Sequence, residues 1–262
     1  MSAPTADNDG PATGPVEQRA TVWRPFTVAT LAGCVAVVGA LYGLGTGGPV
    51  PLTDRVVASV AGAFVVFVGI LGWAITTATQ HAGSQRLTAA TWVTLSRGWA
   101  LVLFAGVVTL GGSSERIAWL AVGLFGLSAV LDAADGWLAR RTDTVSALGS
   151  RLDTETDALL VLVGTVAVVG LGSVPAVFLA VGLARYGFVA GVTLRRRRGQ
   201  PLNDLAPSRF RQFTGAVIMG TIALGLLPAI DPTVSRAAGW LVTAPILAHF
   251  LWDWMAVSGR LD

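Results

Sequence analysis

The stretch DAADGWLARRTDTVSALGSRLDTETD, residues 132–157, lies between two long apolar runs. It holds five aspartates, four of them in two closely spaced pairs, in a chain of 262 residues that is 53% hydrophobic and only 13% charged. Soluble domains carry about 25% charged residues. Because ionisable groups at membrane depth are costly, their presence beside apolar runs indicates a functional site.

The apolar runs on both sides of this stretch predict an all-α fold, a polytopic transmembrane helix bundle. A helix needs about 20 apolar residues to cross the hydrocarbon, and the mean hydropathy of the chain is +0.66. The sequence Gly-Ser-Val-Pro at 172–175 is a turn signal between two of the runs. The predicted spans, about eight, are 26–46, 56–78, 96–112, 117–134, 155–173, 175–194, 211–229 and 237–257.

Composition also predicts how the chain is divided. Residues 1–22 are rich in Ala, Pro, Thr, Gly and Asp without apolar periodicity, which predicts a disordered cytoplasmic tail. The polar segment 79–95 separates the first two spans from the last six. We therefore expect a two-helix N-terminal addition at 23–80 and a six-helix core at 81–262.

The basic residues predict the orientation in the membrane. All 18 are arginine; with eight spans, 14 of them, Arg97 included, fall on the side of the termini, three fall on the other side, and Arg185 lies within a span. Arginine-rich loops are cytoplasmic. This predicts an integral protein of the cell membrane with both termini and residues 132–157 facing the cytoplasm. No basic face interleaved with aromatics is present, so we expect no nucleic-acid partner.

The spacing of the four aspartates predicts a metal site. Asp132 and Asp135 are three residues apart, and Asp153 and Asp157 are four apart, so each pair shares one face of a helix. Two antiparallel helices would then point four carboxylates into one space, where they repel unless a cation neutralises them. Oxygen ligands without nearby Cys or His suit Mg²⁺, Mn²⁺ or Ca²⁺ rather than Zn²⁺.

A divalent ion at a membrane surface suggests chemistry on a phosphorylated substrate. The ion would neutralise phosphate charge while a carboxylate deprotonates an attacking hydroxyl. Gly136 and Gly149 allow close approach of the backbone, and Arg140 can clamp a phosphate through paired donors.

These residues form the pattern D-x-x-D-G-x-x-A-R-x8-G-x3-D-x3-D, which is met at every fixed position. The pattern resembles the signature of the CDP-alcohol phosphatidyltransferases, whose six-helix core fits roughly 91–257. The resemblance implies an enzyme of phospholipid biosynthesis. It would transfer a phosphatidyl-type group from a CDP-linked lipid to the hydroxyl of a small polar alcohol, with release of CMP. Members of the family are commonly homodimers.

The resemblance also implies roles for individual residues. The four aspartates would hold Mg²⁺ or Mn²⁺, and Asp157 would be the general base. The family often has Asn-x-x-Thr before its first core helix, and here the stretch is Thr91-Trp-Val-Thr94, which keeps only the threonine. The residues implied to contact the CDP-linked lipid are Thr94, Gly136, Ala139, Arg140, Ser146 and Gly149.

Three arginines are candidates for the acceptor site. Arg185 lies within a predicted span, where an arginine costs about 2.5–3.5 kcal/mol; it either pairs with the aspartates or binds an anionic acceptor. Arg209 and Arg211 precede the next span and can face the same pocket. Glu155, on the face opposite Asp153 and Asp157, is expected to be solvated or paired with an arginine. Glycerol phosphate, inositol phosphate and serine all fit as acceptors.

Two alternatives use the same carboxylates. An ion-coupled membrane transporter would spread its acidic residues along a path with inverted repeats and broken helices, whereas six of the 15 acidic residues here lie within 132–157. An inactive scaffold would be expected to lose aspartates of the pattern, and none is missing.

Overall fold

The computed structural model describes residues 15–82, 89–142, 147–203 and 209–260. Within those ranges the regular structure is helical, with eight α-helices, two short 3₁₀ helices and no strand. The predicted all-α fold is therefore confirmed. The α-helices are α1 (Pro15–Thr46), α2 (Asp54–Ala82), α3 (Ala89–Val107), α4 (Glu115–Thr142), α5 (Ala147–Gly170), α6 (Leu179–Arg197), α7 (Arg209–Leu226) and α8 (Pro232–Val257).

Five stretches of the described residues are long and apolar enough to cross a membrane. Of the remaining helices, α4 and α5 carry the charged residues of 132–157, and the apolar part of α7, Phe213–Leu226, is shorter. The helices are those expected of a polytopic membrane bundle. The five candidate spans are Phe26–Thr46, Asp54–Thr76, Thr91–Leu110, Ala176–Arg197 and Pro232–Val257.

The first helix starts earlier than composition suggested. α1 begins at Pro15, inside the segment predicted to be a disordered tail, and residues 1–14 lie outside the described ranges. Proline suits the first turn of a helix because its missing N–H has no partner there in any case. The sequence Val-Glu-Gln-Arg-Ala that follows can continue the helix into the first apolar run.

Helix α3 lies at the centre of the bundle. It packs against α1, α2, α4 and α5, and 56% of its candidate span is buried, compared with 17–22% for the other four spans. The contact with α2 is tight at Gly98, where an added Cβ would collide with the ring of Phe67. The same ring meets Trp99 edge-on, with centroids 5.0 Å apart. A polar side chain on the inner faces of α3 is therefore held by its neighbours.

The predicted turn at 172–175 is confirmed. Helix α5 ends at Gly170, and Gly172 has a φ of 68°, in the left-handed region that glycine adopts without steric cost. The Ser173 amide donates back to the Val168 carbonyl over 3.0 Å, which closes the turn. The reversal makes α5 and α6 neighbours, so that charged residues of the two helices can meet.

Candidate active site

Three of the four aspartates converge where α4 ends and α5 begins. Asp132 lies in the second half of α4, and Asp153 and Asp157 lie in the first turns of α5, one helical turn apart. One carboxylate oxygen from each residue lies within 4.8 Å of the other two. We call Asp132, Asp153 and Asp157 the aspartate cluster. Their side chains are 39–41% exposed, so the cluster is open on one side.

The inner side of the aspartate cluster is closed by Arg97 of α3. Its guanidinium forms an ion pair with Asp132, donates to Oδ1 of Asp153 over 2.7 Å, and lies 3.2 Å from Oδ1 of Asp157. It also donates to the backbone carbonyl of Asp153 over 3.1 Å. The residue is completely buried, so this arginine joins three helices from within the bundle.

The energetics of this arrangement depend on its charges. Burying an ion costs several kcal/mol, which only close and well-bonded partners offset. Two unit charges about 4 Å apart attract by ~4 kcal/mol at an effective dielectric constant of ~20. Among the described side chains, Arg97 has three such partners. Three carboxylates face one guanidinium, however, and they repel one another by comparable amounts. The cluster therefore keeps an excess of negative charge.

The aspartate cluster suits a divalent cation of the kind that the sequence predicted. Its donors are carboxylate oxygens on two helices, which are the ligands that Mg²⁺ and Mn²⁺ prefer. Asp135 follows Asp132 by three residues in α4, and its side chain lies outside the described part of the structure. The structure therefore brings together three of the four predicted ligands and leaves the fourth as a prediction.

The residues predicted to contact the CDP-linked lipid are only partly described. Thr94 is buried in α3, three residues before Arg97, and Gly149 lies in α5, four residues before Asp153. Both thus lie one turn from a residue of the charged site. The backbones of Gly136, Ala139 and Arg140 continue α4 beyond Asp135, and nothing is described of their side chains. Ser146 falls between the described ranges.

Two of the arginines predicted to bind the acceptor, Arg185 and Arg211, lie at a second polar site between α6, α7 and α8. Arg185 forms an ion pair of 2.8 Å with Glu155 of α5, and Arg211 lies 4.0 Å from Asp253 of α8. The side chain of Arg209 is not among those described. Arg185, Arg211 and Asp253 line a cavity of about 280 Å³, which we call the α6–α8 pocket.

The α6–α8 pocket also contains a histidine that the sequence did not single out. His249 of α8 points Nε2 at Oδ2 of Asp253, 3.6 Å away, and its ring meets Phe210 edge-on with centroids 4.7 Å apart. The pocket also has apolar lining residues, Phe188 and Ile218 among them. The pocket thus combines charged and apolar surface, as binding sites for small molecules commonly do.

The most informative residue missed by the sequence analysis is Arg97. It was counted among the cytoplasmic charges, whereas the structure places it inside α3 with no exposed surface. A signal was present in the spacing, since Thr91, Thr94 and Arg97 follow one another at intervals of three and share a helix face. All three are buried. Polar residues at helical spacing inside an apolar run indicate an inward-facing site rather than a loop.

Residues 87–251, more than half of the chain, match the family model described as CDP-alcohol phosphatidyltransferase. The match includes α3 to α7 and most of α8, and it leaves α1 and α2 outside. No solved structure matches the chain. The match does not favour the alternatives of an ion-coupled transporter or an inactive scaffold.

Proposed function

Because the chain belongs to the CDP-alcohol phosphatidyltransferase family, we propose that it transfers a phosphatidyl-type group from a CDP-linked lipid to the hydroxyl of a small polar alcohol. The acceptor oxygen attacks the phosphorus that carries the lipid, a new P–O bond forms, and the P–O bond to CMP breaks. The observation that carries this proposal is the convergence of Asp132, Asp153 and Asp157 on two helices of an apolar bundle.

The aspartate cluster and Asp135 are the residues that would hold Mg²⁺ or Mn²⁺. When bound, such an ion supplies positive charge that offsets the charge developing on the phosphate oxygens. The cluster itself supports this role, because three carboxylates with one arginine among them keep excess negative charge. The arrangement also leaves these side chains about two-fifths exposed, so they can face a bound pyrophosphate.

Asp157 is the proposed general base. It would accept the proton of the acceptor hydroxyl as the new P–O bond forms, which is a role that a positioned carboxylate can fill. Its side chain is 40% exposed, so a substrate hydroxyl can reach it. Two residues earlier on α5, Glu155 joins Arg185 of the α6–α8 pocket. Helix α5 therefore links the aspartate cluster to the proposed acceptor site.

The CDP-linked lipid is proposed to lie along the ends of α3, α4 and α5. Thr94 and Gly149 lie one turn from Arg97 and Asp153, respectively. Gly149 has no side chain, so a phosphate can approach the backbone of α5 there. Gly136, Ala139, Arg140 and Ser146 complete this proposed contact set.

The α6–α8 pocket is the proposed acceptor site, and a phosphorylated polyol is its proposed ligand. A guanidinium carries five N–H donors, and the bond from Arg185 to Glu155 uses one of them. Arg185 and Arg211 both line the cavity, and arginine suits phosphate because it can bond two oxygens at once. Glycerol phosphate and inositol phosphate are therefore preferred over serine in this proposal, with Arg209 as a further candidate contact.

The membrane setting follows from the same proposal. The enzyme would lie in the cell membrane with the aspartate cluster facing the cytoplasm, because the loops on that side carry most of the arginines. Soluble acceptors are found on that side. Association into homodimers stays a prediction from the family resemblance.

The proposal is tested by measuring CMP release from purified full-length protein. The donor is CDP-diacylglycerol or its counterpart with ether-linked isoprenoid chains, and the acceptors are glycerol phosphate, inositol phosphate and serine, each with Mg²⁺ or Mn²⁺. We expect CMP release only when donor, acceptor and metal are all present. Its rate should be higher with a phosphorylated acceptor than with serine. Asp157→Asn serves as the blank. Absence of CMP with every combination would refute the proposed reaction.

A further inference from the structure

Arg97 has a position that the transfer reaction alone does not explain. It has no exposed surface, so it cannot meet a substrate phosphate without displacing the carboxylates around it. We propose that Arg97 is the resident counter-cation of the aspartate cluster: it holds the three carboxylates together when no divalent ion is bound, and it competes with that ion for their charge. The inference rests on the proposed function, because it assumes a divalent ion at the cluster.

The contacts of Arg97 show how one side chain can do this. One terminal nitrogen, Nη1, pairs with Asp132 of α4, while the other, Nη2, reaches the carboxylates of Asp153 and Asp157 on α5. The planar fork of a guanidinium suits such a span, and a lysine ammonium has no comparable geometry. The additional bond from Nη2 to the Asp153 carbonyl ties the arginine to the backbone of α5. The guanidinium therefore stays anchored to α5 even when the carboxylates bind a metal ion.

The formal charges show how much positive charge a metal ion would have to supply. Three carboxylates and one guanidinium leave two formal negative charges, before Asp135 is counted. One divalent ion neutralises two charges. Without Arg97 the cluster would carry three negative charges within 4.8 Å, which destabilises the protein without metal and attracts a cation more strongly. Arg97 thus lowers the affinity for the metal while it keeps the empty site folded.

Linkage gives this idea a measurable form. If Arg97 and the divalent ion share carboxylates, each weakens the binding of the other by the same factor, typically about 5–150-fold for a coupled pair of sites. Replacing the guanidinium with a neutral amide should therefore tighten metal binding. If Arg97 only packed α3 against α4 and α5, the same substitution would weaken metal binding, because it would loosen the site.

The test uses full-length protein in detergent, stripped of metal with EDTA, and compares Arg97→Gln with Arg97→Lys. Mn²⁺ affinity is read from the spectroscopic signal of the free ion, and thermal unfolding is followed with and without Mn²⁺. For Arg97→Gln we expect Mn²⁺ to bind about tenfold more tightly at low salt. We also expect a lower Tm in EDTA, and a larger rise in Tm on adding Mn²⁺ than the wild-type protein shows. Arg97→Lys keeps the charge, so its Mn²⁺ affinity should stay within about twofold of wild type.

Arg151→Gln is the matched control. It removes one positive charge two residues before Asp153, from a side chain that lies over the ring of Trp73 with its guanidinium carbon 4.3 Å from the ring centroid. Its Mn²⁺ affinity should change by less than about twofold. An equal change in Mn²⁺ affinity in this control and in Arg97→Gln would overturn the proposal. The loss of one positive charge anywhere near the cluster would then explain both results.

Two further outcomes also decide the matter. Unchanged or weaker Mn²⁺ binding by Arg97→Gln would show that the arginine only positions the helices, and the proposal would fail. The proposal would fail equally if this variant could not fold even with Mn²⁺ present throughout purification, because the metal could not then replace the guanidinium. These readouts do not involve CMP, so a missing transferase activity would refute the proposed function and leave this inference standing.

Discussion

In the part of the chain that the structure describes, arginines pair with carboxylates at two places, and the balance of charge differs between them. In the aspartate cluster one buried guanidinium serves three carboxylates. Around the α6–α8 pocket the described pairs are Arg185 with Glu155 and Arg211 near Asp253, which His249 also faces, and both arginine side chains are 33% exposed. The first group retains negative charge for a further cation to offset. The second is closer to balance, so a ligand there would use N–H donors of arginines that already have a carboxylate partner.

The largest effect is expected at the carboxylate proposed to be the general base. Asp157→Asn keeps the size of the side chain and removes its ability to accept a proton, so CMP release should fall by about 10²–10⁴-fold. Binding of the CDP-linked lipid should largely persist. Glu155→Gln is the control, since it neutralises the carboxylate two residues away that pairs with Arg185. An equal loss of turnover in both variants, or a parallel loss of donor binding, would argue against the base assignment.

A smaller and more selective effect is expected in the α6–α8 pocket. Arg185→Ala removes a donor from the cavity wall, and hydrogen bonds to charged groups contribute about 1.5–3 kcal/mol. The KM for a phosphorylated acceptor should rise roughly 10–100-fold, while that for serine changes little. Steady-state kinetics with both acceptors measures the difference. If the two KM values rise together, Arg185 supports the fold through Glu155 and does not recognise phosphate.

The next prediction tests whether packing behind Arg97 keeps the aspartate cluster in place. Gly98→Ala puts a methyl group against the ring of Phe67, and overpacking of this kind costs about 1–3 kcal/mol. The Tm in detergent should fall. Gly123→Ala in α4 is the matched control, because an added Cβ there has nothing within 4 Å. Alanine is the better helix former, so the control should be neutral or more stable; a similar fall in both variants would contradict the argument.

The smallest effect concerns a carboxylate outside both groups. Asp231 caps α8 by accepting a hydrogen bond of 2.7 Å from the Thr233 amide, and this bond lowers the pKa of Asp231 below its ordinary value of 3.8. A lowered pKa means that the stabilisation is complete above the ordinary value and is lost as the pH falls through the folded-state pKa.

The stability of Asp231→Asn should therefore depend less on pH in the acid range than that of the wild type, since asparagine can cap a helix but does not titrate. Thermal unfolding between neutral and acidic pH measures it. The Tm difference between wild type and variant should be constant near neutrality and should change only in the acid range. A difference that changes around neutral pH would assign the effect to another group.

Much of this molecule was predictable because its signals are local in sequence. The lengths of the apolar runs predicted helices, and Gly-Ser-Val-Pro at 172–175 predicted the reversal between α5 and α6. The spacing of Asp153 and Asp157 predicted that both carboxylates share one face of a helix. The start of α1 at Pro15 was harder to predict, because composition gives the average tendency of a segment to be ordered and not the residue at which the first helical turn forms.

Contacts between helices were not predictable in the same way. The sequence indicated that Glu155 could pair with an arginine, but not that its partner is Arg185, 30 residues later. It also did not indicate that His249 and Asp253 line one cavity with Arg211. Those meetings depend on how α5, α6, α7 and α8 rotate against one another. Periodicity identifies the face of a helix, but it does not identify the partner helix that the face will meet.

By itself, the sequence determined the helical membrane architecture and the four aspartates with their spacing, because both depend on residue type and on the regular geometry of one helix. Only the tertiary structure decided that Arg97 lies among those aspartates and not at the cytoplasmic surface. The physical reason is the packing of α3 between α4 and α5. An arginine near the start of an apolar run can face the interface or the interior, and it turns inward here because three carboxylates compensate its burial.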